Sequence, residues 1–313
     1  MDRRAGWWRL GVALLLVAVM LVVVACGGDD EEDTPGATAT PGASTMATSV
    51  SPEPTASTGA ATTATEPSAD VPTGLKGDLI VFAAASLTDA FGEIKELLED
   101  ANPGLTITYN FAGSQQLATQ LAEGARADVF ASANSTQMTA AQDADAISGE
   151  PVIFVRNRLA IVVPADNPAS IQTPADLAND GIKLVVAAEA APVGAYTLQI
   201  LDNLSADPEF GANFRSRVEA NIVSHEDNVR QVVTKVQLGE ADAGVVYVSD
   251  VTPDIREDVA IIEIPEEFNV IATYLVATVA GGDAELAQAF MDYLLAPGGQ
   301  AILVNWGFTS VEP

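Results

Sequence analysis

Short apolar runs that end in small residues and lead directly into helix-spaced apolar positions constrain this chain more than any other feature. Residues 79–83 form such a run; Ala84-Ala85-Ser86 follows, and then Leu87, Ala90, Phe91, Ile94, Leu97 and Leu98 recur at intervals of three and four. A continuous apolar stretch followed by that period predicts a buried strand, a turn and an amphipathic helix, with Ser86 at the N-cap. The arrangement returns at 105–111, where Ala112-Gly113-Ser114 opens a helix carrying Leu117 and Leu121, and a third strand is expected at 127–131. Strands alternating with helices predict an α/β fold with a mainly parallel sheet, whose ligands bind beyond the carboxyl ends of the strands. Ser86 and Ser114 both fall at such ends.

A second half is built on the same plan. Residues 184–188 read as a strand, Pro192-Val193-Gly194 as a turn, and Ala195, Leu198, Leu201 and Leu204 as a helix face. Residues 222–224 then lead through Asp227-Asn228 into Val229, Val232, Val233 and Val236, again at helical spacing. The two halves share a local pattern, Ala127-Asp128-Val129-Phe130 against Ala241-Asp242-Ala243-Gly244-Val245, consistent with two related lobes. The apolar stretches 158–164 and 270–279 are placed to cross between them. The last helices, with Leu286, Phe290, Leu294 and Ile302, are expected to return to the first lobe.

Ahead of this folded part, Arg3, Arg4 and Arg9 precede an apolar run over 10–25 that ends at Cys26. The run is too short for a comfortable membrane span and follows the signal-peptide pattern. Val23-Val24-Ala25-Cys26 resembles the lipobox of bacterial lipoproteins, which implies that the Cys26 thiol is lipidated and becomes the new N-terminus after cleavage. Cys26 is the only cysteine in the chain, so a disulfide within the chain is excluded. Residues 27–74 are mostly Thr, Ala, Pro, Ser and Gly with acidic residues from Asp29 to Asp33; they offer little to bury and read as an extended tether. The expected organisation is a signal peptide over 1–25, a lipidated linker over 26–76, one lobe from 77–157 with 270–313, and a second lobe over 158–269.

A net charge of −29 removes nucleic acid from the candidate partners, because binding it needs a basic face. The single histidine, His225, reads as a loop residue near the cleft; with no cysteine in the folded part, a catalytic zinc site or a Cys/His pair is not expected. Nor is there a Ser/His/Asp arrangement for an extracellular hydrolase. Glu93, Glu96, Glu99 and Asp100 fall opposite the leucines of the first helix and are read as solvated charges.

From Val81-Phe82-Ala83-Ala84-Ala85-Ser86-Leu87-Thr88-Asp89-Ala90 onward, the sequence resembles the periplasmic molybdate-binding proteins of ABC importers, which have a two-lobed periplasmic-binding-protein-like fold. The resemblance continues through Phe111-Ala112-Gly113-Ser114, Pro192-Val193-Gly194-Ala195-Tyr196, Asp227-Asn228-Val229-Arg230, Gly244-Val245-Val246-Tyr247-Val248-Ser249-Asp250 and Gly307-Phe308, in the family's order. It implies an oxyanion held without a positive side chain: by hydroxyl and amide groups at Ser86 and Ser114, backbone amides at Val193 and Val229, and the hydroxyl of Tyr247. Four of these five positions fall at expected helix starts, where free N–H groups and the helix dipole favour an anion. A site of donors suits a fully ionised tetrahedral dianion.

The expectation is therefore an extracytoplasmic, membrane-anchored, monomeric receptor that delivers molybdate or tungstate to an ABC permease. It needs no cofactor and no protein-ligated metal, since molybdenum arrives as the oxyanion, and it performs no catalysis. A receptor for sulfate, phosphate or a small organic anion, and a lipid-anchored oxyanion sensor, are the alternatives.

Overall fold

A computed structural model describes residues 70–311. The expected signal peptide, Cys26 and the linker up to residue 69 lie outside the described residues. Strand β1 (Lys76–Ala84) is buried from Val81 on because it has a parallel neighbour on each side, β2 (Gly104–Ala112) and β3 (Val129–Ser132). Helix α1 (Thr88–Ala101) turns Ala90, Phe91, Ile94 and Leu98 onto this sheet, as the spacing predicts. It begins one residue later than expected, with Leu87 in the N-cap position. Residues Ala85–Leu87 form a separate 3-10 turn, tied by the Thr88 hydroxyl donating to Ala85 O at 2.7 Å. Ser86 is consequently not an N-cap; its hydroxyl turns away from the helix.

Helix α2 (Ser114–Ala122) follows β2, and α3 (Ser135–Asp143) follows β3 with Asn134 as its N-cap, the side chain accepting from Gln137 N–H at 3.0 Å. An 18-residue strand, β4 (Ile147–Pro164), then runs out of this half. Up to Arg158 it pairs with the later strand β9, and from Leu159 onward with the strands of the second half. Here β5 (Leu184–Ala187), β6 (Ile222–Glu226) and β7 (Ala243–Tyr247) pair in parallel, with β8 (Val259–Glu263) antiparallel to β4. Strand β9 (Ile271–Val279) carries the chain back, lying antiparallel to β3 and β4. The strand order is β2-β1-β3-β9-β4-β7-β5-β6, parallel at both outer parts and antiparallel through the crossing strands.

The second half contains helices α4 (Pro192–Ala206), α5 (Phe214–Ala220) and α6 (Val229–Gln237). Pro192-Val193-Gly194, expected as a turn, is the first turn of α4. Proline at the first helical position loses only an N–H that had no helical partner, and Gly194 lets the helix start close against the preceding strand. A Cβ at Gly194 would lie 2.0 Å from Ala188 O. His225, expected in a loop, sits on β6 in register with Val186, exposed and outside the cavity described below.

The shared Ala-Asp pattern performs one task in both halves. Asp128 Oδ2 accepts from Ile80 N–H at 2.6 Å while Asp128 N–H donates to Ile80 O. Asp242 Oδ2 accepts from Lys183 N–H at 2.7 Å while its N–H donates to Lys183 O. Each aspartate thus fastens the start of its strand to the parallel neighbour. The chain ends with α7 (Ala284–Leu295), α8 (Pro297–Asn305) and β10 (Thr309–Ser310), which pairs with β4. Phe290 meets Phe91 edge-on, ring centres 5.6 Å apart, so the returning helices close the core of the first half.

Two of the acidic residues on α1 are not merely solvated. Glu99 Oε1 accepts from Ile107 N–H at 2.7 Å, and Glu93 Oε2 accepts from Trp306 Nε1–H at 2.6 Å. They hold β2 and the C-terminal segment to the helix. Among the described residues, no helix is long and apolar enough to cross a membrane.

Candidate oxyanion site

Five strand ends converge on one cavity. The carboxyl end of β1 brings the 3-10 turn with Ser86; β2 brings Gly113 and Ser114; β5 leads to Pro192 and Val193; β6 leads to Asn228 and Val229; β7 ends at Tyr247. Ser86, Ser114, Val193, Val229 and Tyr247 all line a single cavity, and none of its lining residues carries a charged side chain. All five are 4% exposed or less. The residues singled out from the sequence are therefore brought together, from both halves of the molecule.

The cavity is lined with donors. Ser114 is the first residue of α2, Val193 the second of α4 and Val229 the first of α6; amides at these positions have no partner within their own helices. Pro192 has no N–H, so Val193 supplies the first donor on α4. Asn228 caps α6, its side chain accepting from Gln231 N–H at 3.2 Å, which leaves the Val229 amide to the cavity. The Ser114 hydroxyl oxygen accepts from Ala133 N–H at 3.1 Å, which frees its own proton for another acceptor. The Tyr247 hydroxyl is buried without a hydrogen-bond partner. Burial, then the neighbouring Tyr274, push its pKa well above the usual tyrosine value, so it remains a protonated donor. A buried hydroxyl without a partner costs about 1–3 kcal/mol, which an acceptor in the cavity would recover.

Just outside the cavity lies a charged cluster that sequence reasoning did not assign. Arg230, next to Val229, pairs with Asp89 of α1 in the other half, and its Nε lies 3.4 Å from Asp250 Oδ1. Asp250 is fully buried, and its Oδ2 accepts from Tyr247 N–H at 3.0 Å. The three residues belong to the sequence segments named above, but partners 141 residues apart leave no local signal. Gln115 Nε2 donates to Asp227 O at 2.7 Å and Gln137 Nε2 to Ala190 O at 3.0 Å, so the two halves are in contact around the cavity.

Burial raises the Asp250 pKa to about 6 against the opposing pull of Arg230. The folded pKa lies above the ordinary carboxylate value, so the folded state binds the extra proton. Stability from this group is therefore fully present below about pH 4 and lost as pH rises through about 6. The thermal midpoint of the wild type should fall between pH 5 and pH 7 more steeply than that of Asp250→Asn, as read by scanning calorimetry at fixed ionic strength. Parallel profiles would show that Asp250 does not titrate in this range.

The sequence matches the bacterial extracellular solute-binding protein family over residues 79–309. A Mycobacterium tuberculosis protein named molybdate-binding protein ModA is 38% identical over 238 residues, which cover 76% of this chain and 86% of that protein. Among solved structures, the sulfate-binding protein SubI of the same organism superposes with a TM-score of 0.68 at 17% identity, over 75% of this chain and 88% of that one. The periplasmic molybdate-binding protein of Azotobacter vinelandii gives 0.61 at 18% identity, over 75% and 99%. At these identities the two structures speak for the fold alone.

Proposed function

Because this chain belongs to the bacterial extracellular solute-binding proteins, which bind solutes rather than transform them, we propose that it captures molybdate between its two halves and delivers it to an ABC permease. The observation that carries this reading is the collection of Ser86, Ser114, Val193, Val229 and Tyr247 around one buried, uncharged cavity. A tetrahedral dianion needs several donors converging from different directions, and the helix starts provide them with favourable dipoles. Hydrogen bonds to a charged partner contribute roughly 1.5–3 kcal/mol each, so five residues suffice for tight binding after the costs of association. Tungstate, with nearly the same size and charge, is accepted alongside molybdate. No cofactor or protein-ligated metal takes part.

Cys26 anchors the protein by its lipid on the outer face of the cell membrane, and the linker over 26–76 gives the monomeric binding module reach toward the permease. The alternative cargo is sulfate, which is also a fully ionised tetrahedral dianion and would meet the same donors. Calorimetric titration of the folded part with molybdate, tungstate, sulfate and phosphate separates the two. Molybdate and tungstate should bind tightly, with sulfate and phosphate weaker by at least about a hundredfold, a gap of ~2.7 kcal/mol. Sulfate binding as tightly as molybdate would end the molybdate assignment.

A further inference from the structure

We infer that Gln115 and Gln137 are positioning residues, two neutral clasps between the halves that set how long the captured anion stays without touching it; this deepens the reading above and rests on it. Neither side chain lines the cavity. Gln115 is the second residue of α2 and Gln137 the third of α3, both in the first half. Gln115 Nε2 donates to Asp227 O at 2.7 Å, and Gln137 Nε2 to Ala190 O at 3.0 Å. Both acceptors belong to the second half, and each stands one residue ahead of a helix N-cap, Asn228 for α6 and Ala191 for α4. One construction thus occurs twice, at the two helix starts that present Val229 and Val193 to the cavity.

A main-chain carbonyl only accepts, so each glutamine must turn its N–H toward it. Gln115 Oε1 is buried without a partner, which leaves the bond to Asp227 O as the hydrogen bond that holds this side chain among the described residues. Asp227 is fixed from its own helix, its N–H donating to Gln231 Oε1 at 3.0 Å, so the clasp closes on an anchored acceptor. An anion bound by Ser86 and Ser114 from the first half and by Val193, Val229 and Tyr247 from the second gives up one set of donors when the halves part. Parting breaks both clasps as well, so removing a clasp lowers the barrier to escape. Entry begins with the halves apart, before either clasp has formed, and is left unchanged. Because both clasps are uncharged, salt does not screen them as it screens the partly exposed Arg230–Asp89 pair.

The experiment separates escape from entry. Labelled molybdate bound to the purified protein is chased with excess unlabelled molybdate to give the escape rate, and calorimetry gives Kd, so that the ratio of the two gives the entry rate. Wild type, Gln115→Ala, Gln137→Ala, the double variant and Gln137→Glu are compared, with thermal midpoints of the unliganded proteins as a check on folding. Each alanine variant should release molybdate about fivefold faster and the double variant roughly twentyfold faster, with entry within about twofold of wild type. These ratios should be the same at low and high salt. Gln137→Glu keeps the length of the side chain but sets a carboxylate against Ala190 O, so at neutral pH it should release molybdate at least as fast as Gln137→Ala. A packing role would leave it near wild type. Escape rates within about twofold of wild type in both single alanine variants, a loss that appears in entry instead, or wild-type escape from Gln137→Glu would overturn the clasps and leave the molybdate reading intact. If calorimetry shows sulfate to be the tight ligand, labelled sulfate is chased in the same way, so cargo and clasps are judged separately. A folded wild type that binds neither ion overturns both.

Discussion

Gly113→Ala should weaken molybdate binding by roughly a hundredfold while leaving the unliganded protein folded. Gly113 has φ −61° and ψ 137°, a conformation alanine adopts without strain, so the backbone gives no reason for the substitution to matter. The obstacle lies across the cleft. A Cβ at this position would sit 2.5 Å from Asp227 O, a backbone atom of the opposite half that cannot swing aside as a side chain can. The Gln115 side chain, which donates to that same carbonyl, is displaced too. Ser114 follows directly on α2 and Val229 directly on α6, so a separation forced here moves their donors apart. Overpacking of a tight contact costs about 1–3 kcal/mol, and the loss of donors on one side of the ion adds to it. Titration calorimetry measures the affinity, and the thermal midpoint without molybdate shows whether the halves still fold. An affinity within about threefold of wild type, less than 1 kcal/mol, would mean that the contact between Gly113 and Asp227 is not needed for capture.

Arg230→Ala should be the most destabilising single change in the charged cluster. It leaves Asp250 completely buried and facing Asp89 with no cation between them. Removing one partner of a buried ion pair costs about 3–5 kcal/mol, and the lower end applies because Arg230 and Asp89 are partly solvated. For a folded part of this size, that is a fall of roughly 10 °C in the thermal midpoint. The sign with pH is fixed by Asp250. Its pKa, already about 6, should rise further without Arg230, so the deficit should shrink as pH is lowered and the carboxyl takes up its proton. Asp250→Asn in the Arg230→Ala background should recover more than half of the loss, because asparagine can still accept from Tyr247 N–H without a charge. A loss below about 1 kcal/mol for Arg230→Ala would show that Asp250 is already neutral in the wild type.

The same cluster bears on function through its position. Arg230 adjoins an amide donor of the cavity, and Asp89 belongs to the other half, so this ion pair spans the cleft. The buried Asp250 would repel a captured dianion were its charge not countered. An overall negative protein can thus hold an anion in an uncharged cavity: nearby charges are paired, and the ion meets only dipoles and hydroxyls.

The elements were legible from residues 79–83 and 184–188 because a strand buried on both faces is continuously apolar, and from Phe91, Ile94 and Leu98 because only a helix places such spacing on one face. Ser86, Ser114, Val193, Val229 and Tyr247 could be singled out because they occupy strand-to-helix junctions or match a family segment. The sequence patterns did not reveal which way their hydroxyls turn. Ser86 was read as a helix cap, but its partner is Tyr274, 188 residues later. His225 was read as a loop residue because β6 continues through polar positions, and only its parallel pairing with β5 holds it extended.

What the sequence by itself determined is therefore local: periodicity sets each strand and helix, and small residues at the junctions expose helix starts to an anion. What only the tertiary structure decided is long-range: which segments touch at Gly113, which carboxylates share Arg230, and which buried hydroxyl meets Ser86. The physical reason is that burial depends on neighbours within one element, whereas long-range hydrogen bonding and charge pairing depend on atoms that only the crossing strands bring within 3 Å.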